Sequence, residues 1–87
     1  MKSVDYQIVY ISPEFKAKYR DVGWFCDRMS ASPELNCDIL ALFQESRNDN
    51  ILRVVFRDDT SEEVVMRATK KLESFGLKLV PKTKQSN

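Results

Sequence analysis

The chain has 87 residues, enough for one small domain with a modest core. Its hydrophobic fraction of 43% excludes a disordered polymer. Lys plus Arg number 14 against 13 Asp plus Glu, which excludes a bulk polyanion binder and an acidic nucleic-acid mimic, so recognition by charge must come from a local patch.

Val4 to Ile11 is rich in β-formers and apolar on both faces, so it reads as a central strand. Ser12 and Pro13 open a helix. A serine hydroxyl can accept from a free N–H of the first turn, and proline suits the first helical position. Phe15, Tyr19, Val22, Phe25 (or Cys26) and Met29 follow at helical spacing, with Gly23 inside as a weak point or a bend. Ser30-Ala31-Ser32-Pro33 ends this helix. Cys37 to Gln44 reads as a second strand, Glu45 to Asn50 as a hairpin turn, and Ile51 to Arg57 as a third strand. Thr60 and Glu63 have the spacing of a capping box. Val64, Ala68, Leu72 and Phe75 give the second helix its inward stripe, with Val65 beside it. Gly76 stops that helix in a left-handed conformation. Leu77 to Val80 is a last strand, ended by Pro81.

The order β-α-β-β-α-β predicts an α+β fold of the ferredoxin-like kind, with a four-stranded antiparallel sheet and two helices on one face. One domain is expected over residues 3–82, with 83–87 as a polar, mobile tail. Met1 to Ser12 lacks the apolar core of a signal peptide and no run is long enough to span a membrane, so the expected location is the cytoplasm.

Val9-Tyr10-Ile11 resembles the first-strand signature of the RNA recognition motif, and Arg53-Val54-Val55-Phe56 resembles the end of its third-strand signature. The resemblance implies the same strand order and a base stacked on Tyr10. The chain departs from that family in three places. Asp49-Asn50 stands where the family has a basic residue and glycine. The two other stacking rings are replaced by Ile51 and Arg53, and Phe56 maps to a core position.

Alternation gives the open face of the sheet two readings. With Val9 and Ile11 toward the helices, Tyr6, Ile8 and Tyr10 face outward, together with Arg53, Val55 and Arg57, and with Lys78, Val80 and Lys82. The opposite register turns Tyr6, Ile8 and Tyr10 into the core. In the first register Tyr6 and Tyr10 would stack on bases while Arg53, Arg57, Lys78 and Lys82 hold phosphate, as single-stranded RNA requires. Trp24, off the apolar stripe and near Arg20 and Arg28, is a candidate protein-contact anchor; its bland alternative is to cover the edge of the core.

Catalysis is not expected. Histidine is absent, only two glycines occur, and Cys26 and Cys37 have no partner for a Cys–His pair or a zinc site. Two free thiols are expected rather than a disulfide. Asp58 and Asp59 are explained by the dipole at a helix start. No metal or cofactor is expected. The first functional expectation is a non-catalytic domain that binds single-stranded or structured RNA through the open face. Its rival is a protein-interaction regulator or inhibitor, antitoxin-like and phage- or plasmid-encoded, acting on a nuclease or a translation-associated protein. That protein would bind through Trp24, Arg20 and Arg28 or by pairing an edge strand, Cys37–Gln44 or Leu77–Val80. The oligomeric state is open, and a homodimer through the open face would exclude RNA from it.

Overall fold

Val4, Tyr6 and Ile8 turn to one side of the first strand, β1 (Lys2–Ile11), while Ser3, Asp5 and Gln7 turn to the other. That division organises the rest of the chain. The computed structural model describes residues 2–30, 38–45 and 50–82. Among them are four strands and three helices. The sheet is antiparallel, in the order β2-β3-β1-β4, with β2 at Ala41–Gln44, β3 at Ile51–Phe56 and β4 at Leu77–Pro81.

The helices are α1 (Pro13–Tyr19), α2 (Val22–Ser30) and α3 (Glu62–Glu73). Their buried faces join one side of the sheet in a single core. Phe15, Phe25, Leu52, Val54, Phe56 and Leu72 lie at its centre. Each such side chain contributes on the order of 2 kcal/mol by leaving water. Phe15, Tyr19, Phe25 and Phe75 form an aromatic cluster, with centroids 4.9–6.1 Å apart, at the end of the core nearest α1.

The first helical stretch is two helices, not one, and the break falls three residues before Gly23. Arg20 has φ 68° and ψ −69°, and the Asp21 N–H bonds to the Tyr19 carbonyl at 2.7 Å. This is a γ-turn of the strained, positive-φ kind. Asp21 then starts α2 afresh, its carboxylate accepting from the Trp24 N–H at 2.8 Å. Gly23 lies against β2 instead: a Cβ there would sit 2.9 Å from Gln44 Oε1.

The capping box is also displaced by one residue. Ser61, not Thr60, caps α3, accepting from the Val64 N–H at 3.2 Å. Thr60 turns its carbonyl to Lys2 Nζ, which also pairs with Glu62 at 3.2 Å. At the other end of α3, Gly76 has φ 117° and its carbonyl accepts from the Ser12 N–H. A Cβ on Gly76 would collide with Ser12 Oγ and come within 3.0 Å of Phe15 Cβ. The glycine therefore joins the end of α3 to the start of α1 and sets β4 beside β1.

β2 begins at Ala41, later than expected. The expected helix end at 31–33, the strand start and thiol at Cys37, the turn at 46–49 and the tail at 83–87 lie outside the described residues. Asp38, ahead of β2, is tied to α3 by a two-pronged bond from Arg67, at 3.0 and 3.3 Å. That bond holds the Asp38 carboxyl below its ordinary range, against a smaller opposing effect of burial. Among the described residues no helix is long and apolar enough to cross a membrane.

Candidate functional site

The sheet face away from the helices reads as rows across the strands. Register places Phe43 opposite Arg53 and Arg53 opposite Asp5, and the Lys82 N–H bonds to the Asp5 carbonyl. One row is therefore Phe43, Arg53, Asp5, Lys82. The next is Glu45, Ile51, Gln7, Val80. On the other side, Ala41, Val55 and Ser3 form a third. At the far end of β1, Tyr10 pairs with Lys78.

Arg53 is committed within its own chain. It donates to both carboxylate oxygens of Asp5, at 2.8 and 3.1 Å, and lies 4.0 Å from Glu45. The fork-to-carboxylate geometry is the strong form of such a pair. The rest of the face mixes polar side chains, among them Gln7, Glu45 and Lys82, with exposed apolar ones. Val9, Tyr10, Phe43 and Val80 are 52%, 56%, 54% and 46% exposed. Ile51 and Val55 are buried, yet neither belongs to the core cluster under the helices.

Tyr6 is not on this face. It is buried in the core, with its hydroxyl 2.6 Å from Thr69 Oγ1 on α3. Tyr6 follows the alternation of Val4 and Ile8, and a β-bulge separates it from Tyr10. The register of β1 against β4 shifts between Ile8 and Tyr10, leaving Val9 as the extra residue. Before the bulge, even-numbered side chains face the helices. After it, Ile11 does, and Tyr10 faces away. Neither sequence register is correct for the whole strand, and the two tyrosines fall on opposite faces.

The other expected site residues are scattered. Arg53, Lys78 and Lys82 share the open face with Tyr10, but Arg53 is paired. Arg57 lies exposed beyond β3, in a shallow depression with Asp38, Asp59, Thr60, Ser61 and Val64, at the opposite end of the sheet from Tyr10. Trp24 is half-buried against the core, 6.2 Å from the Tyr19 ring, with the Arg28 guanidinium 4.8 Å above it. Its placement is that of a cover on the core edge, stacked by a cation. Arg20 occupies the γ-turn between α1 and α2.

Both sheet edges are obstructed at particular positions. On β4 the outward N–H groups are those of Leu79 and its alternates. Leu79 donates to Glu73 Oε2 at 2.9 Å, and Pro81 has no N–H to offer. On β2, the Ser30 hydroxyl bridges the Leu42 N–H and carbonyl, each at 3.4 Å. These side chains stand where a foreign strand would have to bond, which disfavours edge pairing at either side.

Chemically reactive groups are few. Cys26 is buried, and burial, with a smaller effect of Asp27, pushes its thiol up to about 12. Such a thiol is a poor nucleophile at neutral pH. Among the described residues no three His, Cys, Asp or Glu side chains gather as a metal site. A groove of about 330 Å³ runs between α3 and β4, lined by Val4, Tyr6, Val65, Met66 and Leu79 with Glu62, Lys70 and Glu73 at its rim.

Phe43, Asp5 and Glu45 escaped the sequence reading. Their signal was present but required register: Leu42 turns inward, so Phe43 turns out, and Asp5 matters only once it is known to face Arg53. In comparisons with known proteins, no family model matches the chain, and neither a curated protein nor a solved structure matches it significantly.

Proposed function

We propose that the chain is a ferredoxin-like, non-catalytic binding domain of the cytoplasm that works by docking a protein surface on its open sheet face. Strand order β2-β3-β1-β4, with the first crossover helix split at Arg20, supports the fold reading. The observation that carries the function is the commitment of Arg53 to Asp5 at the centre of that face, with Phe43 and Val80 exposed on its two outer strands and Val9 and Tyr10 exposed at one end. Exposed apolar groups on one face favour a partner that removes them from water. A polyanion instead needs uncommitted cations, and of the six residues expected to bind RNA only Tyr10, Lys78 and Lys82 remain suited to it. Tyr6 is buried, Arg53 is paired and Arg57 lies elsewhere.

The test compares two ligands on one variant set. Single-stranded RNA is titrated at low salt, and protein partners are captured with and without RNase. The expected outcome is no saturable RNA binding and a partner that survives RNase but is lost with Phe43→Asp and Val80→Asp. RNA binding abolished by Tyr10→Ala and Lys78→Ala would overturn the protein reading in favour of RNA.

A further inference from the structure

We infer that the surface seated on the open face is a second copy of the same chain, in a two-fold dimer held by a reciprocal Arg53–Asp5 network. The inference rests on the docking face proposed above and names its occupant. The first argument is elimination of the other surfaces. Among the described residues one side of the sheet is covered by α1, α2 and α3 apart from the narrow groove between α3 and β4, and the edges are obstructed at Leu79 and Pro81 on β4 and at Leu42 on β2. The open face is the broad surface that is left.

The second argument is self-complementarity. Two sheets stack face to face with their strands roughly aligned. A two-fold axis lying between the sheets, along the strands and between β3 and β1, exchanges β3 with β1 and β2 with β4 of the second copy, and keeps each row at its own height. In the row Phe43, Arg53, Asp5, Lys82, this sets Arg53 over Asp5 of the second copy and Phe43 over the stem of its Lys82. Two in-chain pairs then become one four-member network of alternating sign. In the neighbouring row, Glu45 falls over Val80 of the second copy, between the two lysines, Lys78 and Lys82, that flank Val80 on that face. A charged row that is its own complement has no need of a foreign counter-charge.

The third argument is size. Four strands at the usual spacing, and a strand the length of β3, make a face about 19 by 20 Å. Two such faces bury roughly 800 Å² in all, the size of a weak, transient pair. The dimer is accordingly expected to dissociate in the micromolar range.

A charge exchange tests the arrangement without disturbing the fold. The double variant Asp5→Arg with Arg53→Asp keeps the pair within each chain and, by symmetry, across the dimer. Between wild type and variant it sets arginine over arginine and aspartate over aspartate. Sedimentation velocity from about 1 µM to about 500 µM should show each protein alone in monomer–dimer equilibrium, with dissociation constants within about threefold of each other. Differently tagged mixtures should contain about tenfold fewer mixed dimers than random assortment gives. Phe43→Lys, on an exposed side chain, should reduce dimer by about tenfold or more and serves if the double variant does not fold. A chain that is monomeric throughout overturns the inference, as does free mixing of the two proteins or a Phe43→Lys variant that dimerises normally. A monomer that still loses a foreign partner on Phe43→Asp keeps the docking face and loses only the second copy as its occupant.

Discussion

Tyr6 on the central strand β1 donates its hydroxyl to Thr69 on α3, at 2.6 Å; the Thr69 hydroxyl in turn donates to the Val65 carbonyl at 2.9 Å. The direction follows because Thr69 has one hydrogen to give and Val65 accepts it. This chain of bonds locks the sheet to the last helix through the core. Tyr6→Phe keeps the ring and the Thr69–Val65 bond, so it should cost about 1 kcal/mol. Tyr6→Ala also opens a cavity and should cost about 3–5 kcal/mol. Urea unfolding measures both. Unchanged RNA affinity in Tyr6→Phe, if any RNA is bound, would agree with a ring that never reaches the surface.

Burial raises the Tyr6 phenol above its ordinary value, the Thr69 bond opposing this and Glu62 and Glu73 adding to it. Cys26 is raised to about 12. Both groups ionise earlier in the unfolded chain. Their contribution to stability is therefore complete below the unfolded values, about 8.5 for cysteine and 10 for tyrosine, and is lost as pH rises through the folded ones. Unfolding free energy should fall from about pH 8.5 upward, and Cys26→Ser should flatten the first part of that decline. At neutral pH, labelling of Cys26 by a thiol reagent should proceed no faster than the protein opens, as a stopped-flow comparison with unfolding would register.

Asp38 behaves oppositely. The Arg67 bond lowers its folded value, so its contribution is present above the unfolded value, about 3.9, and is lost as pH falls through the folded one. Arg67 is largely exposed, which limits the pair to about 1 kcal/mol or less. Asp38→Asn and Arg67→Ala should each weaken the protein by that order at pH 7 and by progressively less as pH falls through the folded value, and the double variant should cost no more than either single one.

The turn at Arg20 and the glycine at 76 both have positive φ, and they respond in opposite senses to substitution. Arg20→Gly relieves the strain of a side chain in a γ-turn at some cost in chain entropy. It should be neutral or stabilise by up to about 1 kcal/mol. Gly76→Ala adds strain and drives a methyl into Ser12 and Phe15, both fixed at the start of α1. It should cost about 2 kcal/mol or more. Thermal unfolding of the two variants should move the midpoint in these two directions.

Most of the framework was legible because it depends on short-range chemistry. Ser12-Pro13, the spacing of Val65, Ala68 and Leu72, and Gly76 before a β-rich run each specify an element from a few neighbouring residues. The helix starts slipped by one residue at Thr60 and Ser61, where two adjacent hydroxyls can both serve and the choice falls to Lys2, which holds the Thr60 carbonyl. The site was less legible. The polar set Ser3, Asp5, Gln7 already marks the outer face of β1 and would have sent Tyr6 inward. The alternation fails only at Val9, and the bulge there is fixed by pairing with Leu77 to Pro81, some seventy residues away. Arg53 looked like a phosphate ligand because its partner Asp5 is 48 residues distant. Face and pairing are properties of register, which a single strand does not contain.

The edges offer a last test of how this protein directs association. Leu79 would present an outward N–H on β4 if Glu73 did not accept it, and position 81 would present another if it were not proline. Two such donors, spaced for a strand, invite edge-to-edge pairing with any extended chain. Glu73→Ala with Pro81→Thr should therefore leave the core intact, since neither side chain belongs to it, while converting β4 into an open edge. Far-ultraviolet circular dichroism should be nearly unchanged. Light scattering at about 100 µM should show growth beyond a dimer, with thioflavin fluorescence rising as ladders form. Pro81→Thr alone should do less, because the Glu73 carboxylate still holds Leu79. If the double variant stays as soluble as the parent, the two side chains are not what protects β4. Edge pairing would then return as a route to partners beside the open face.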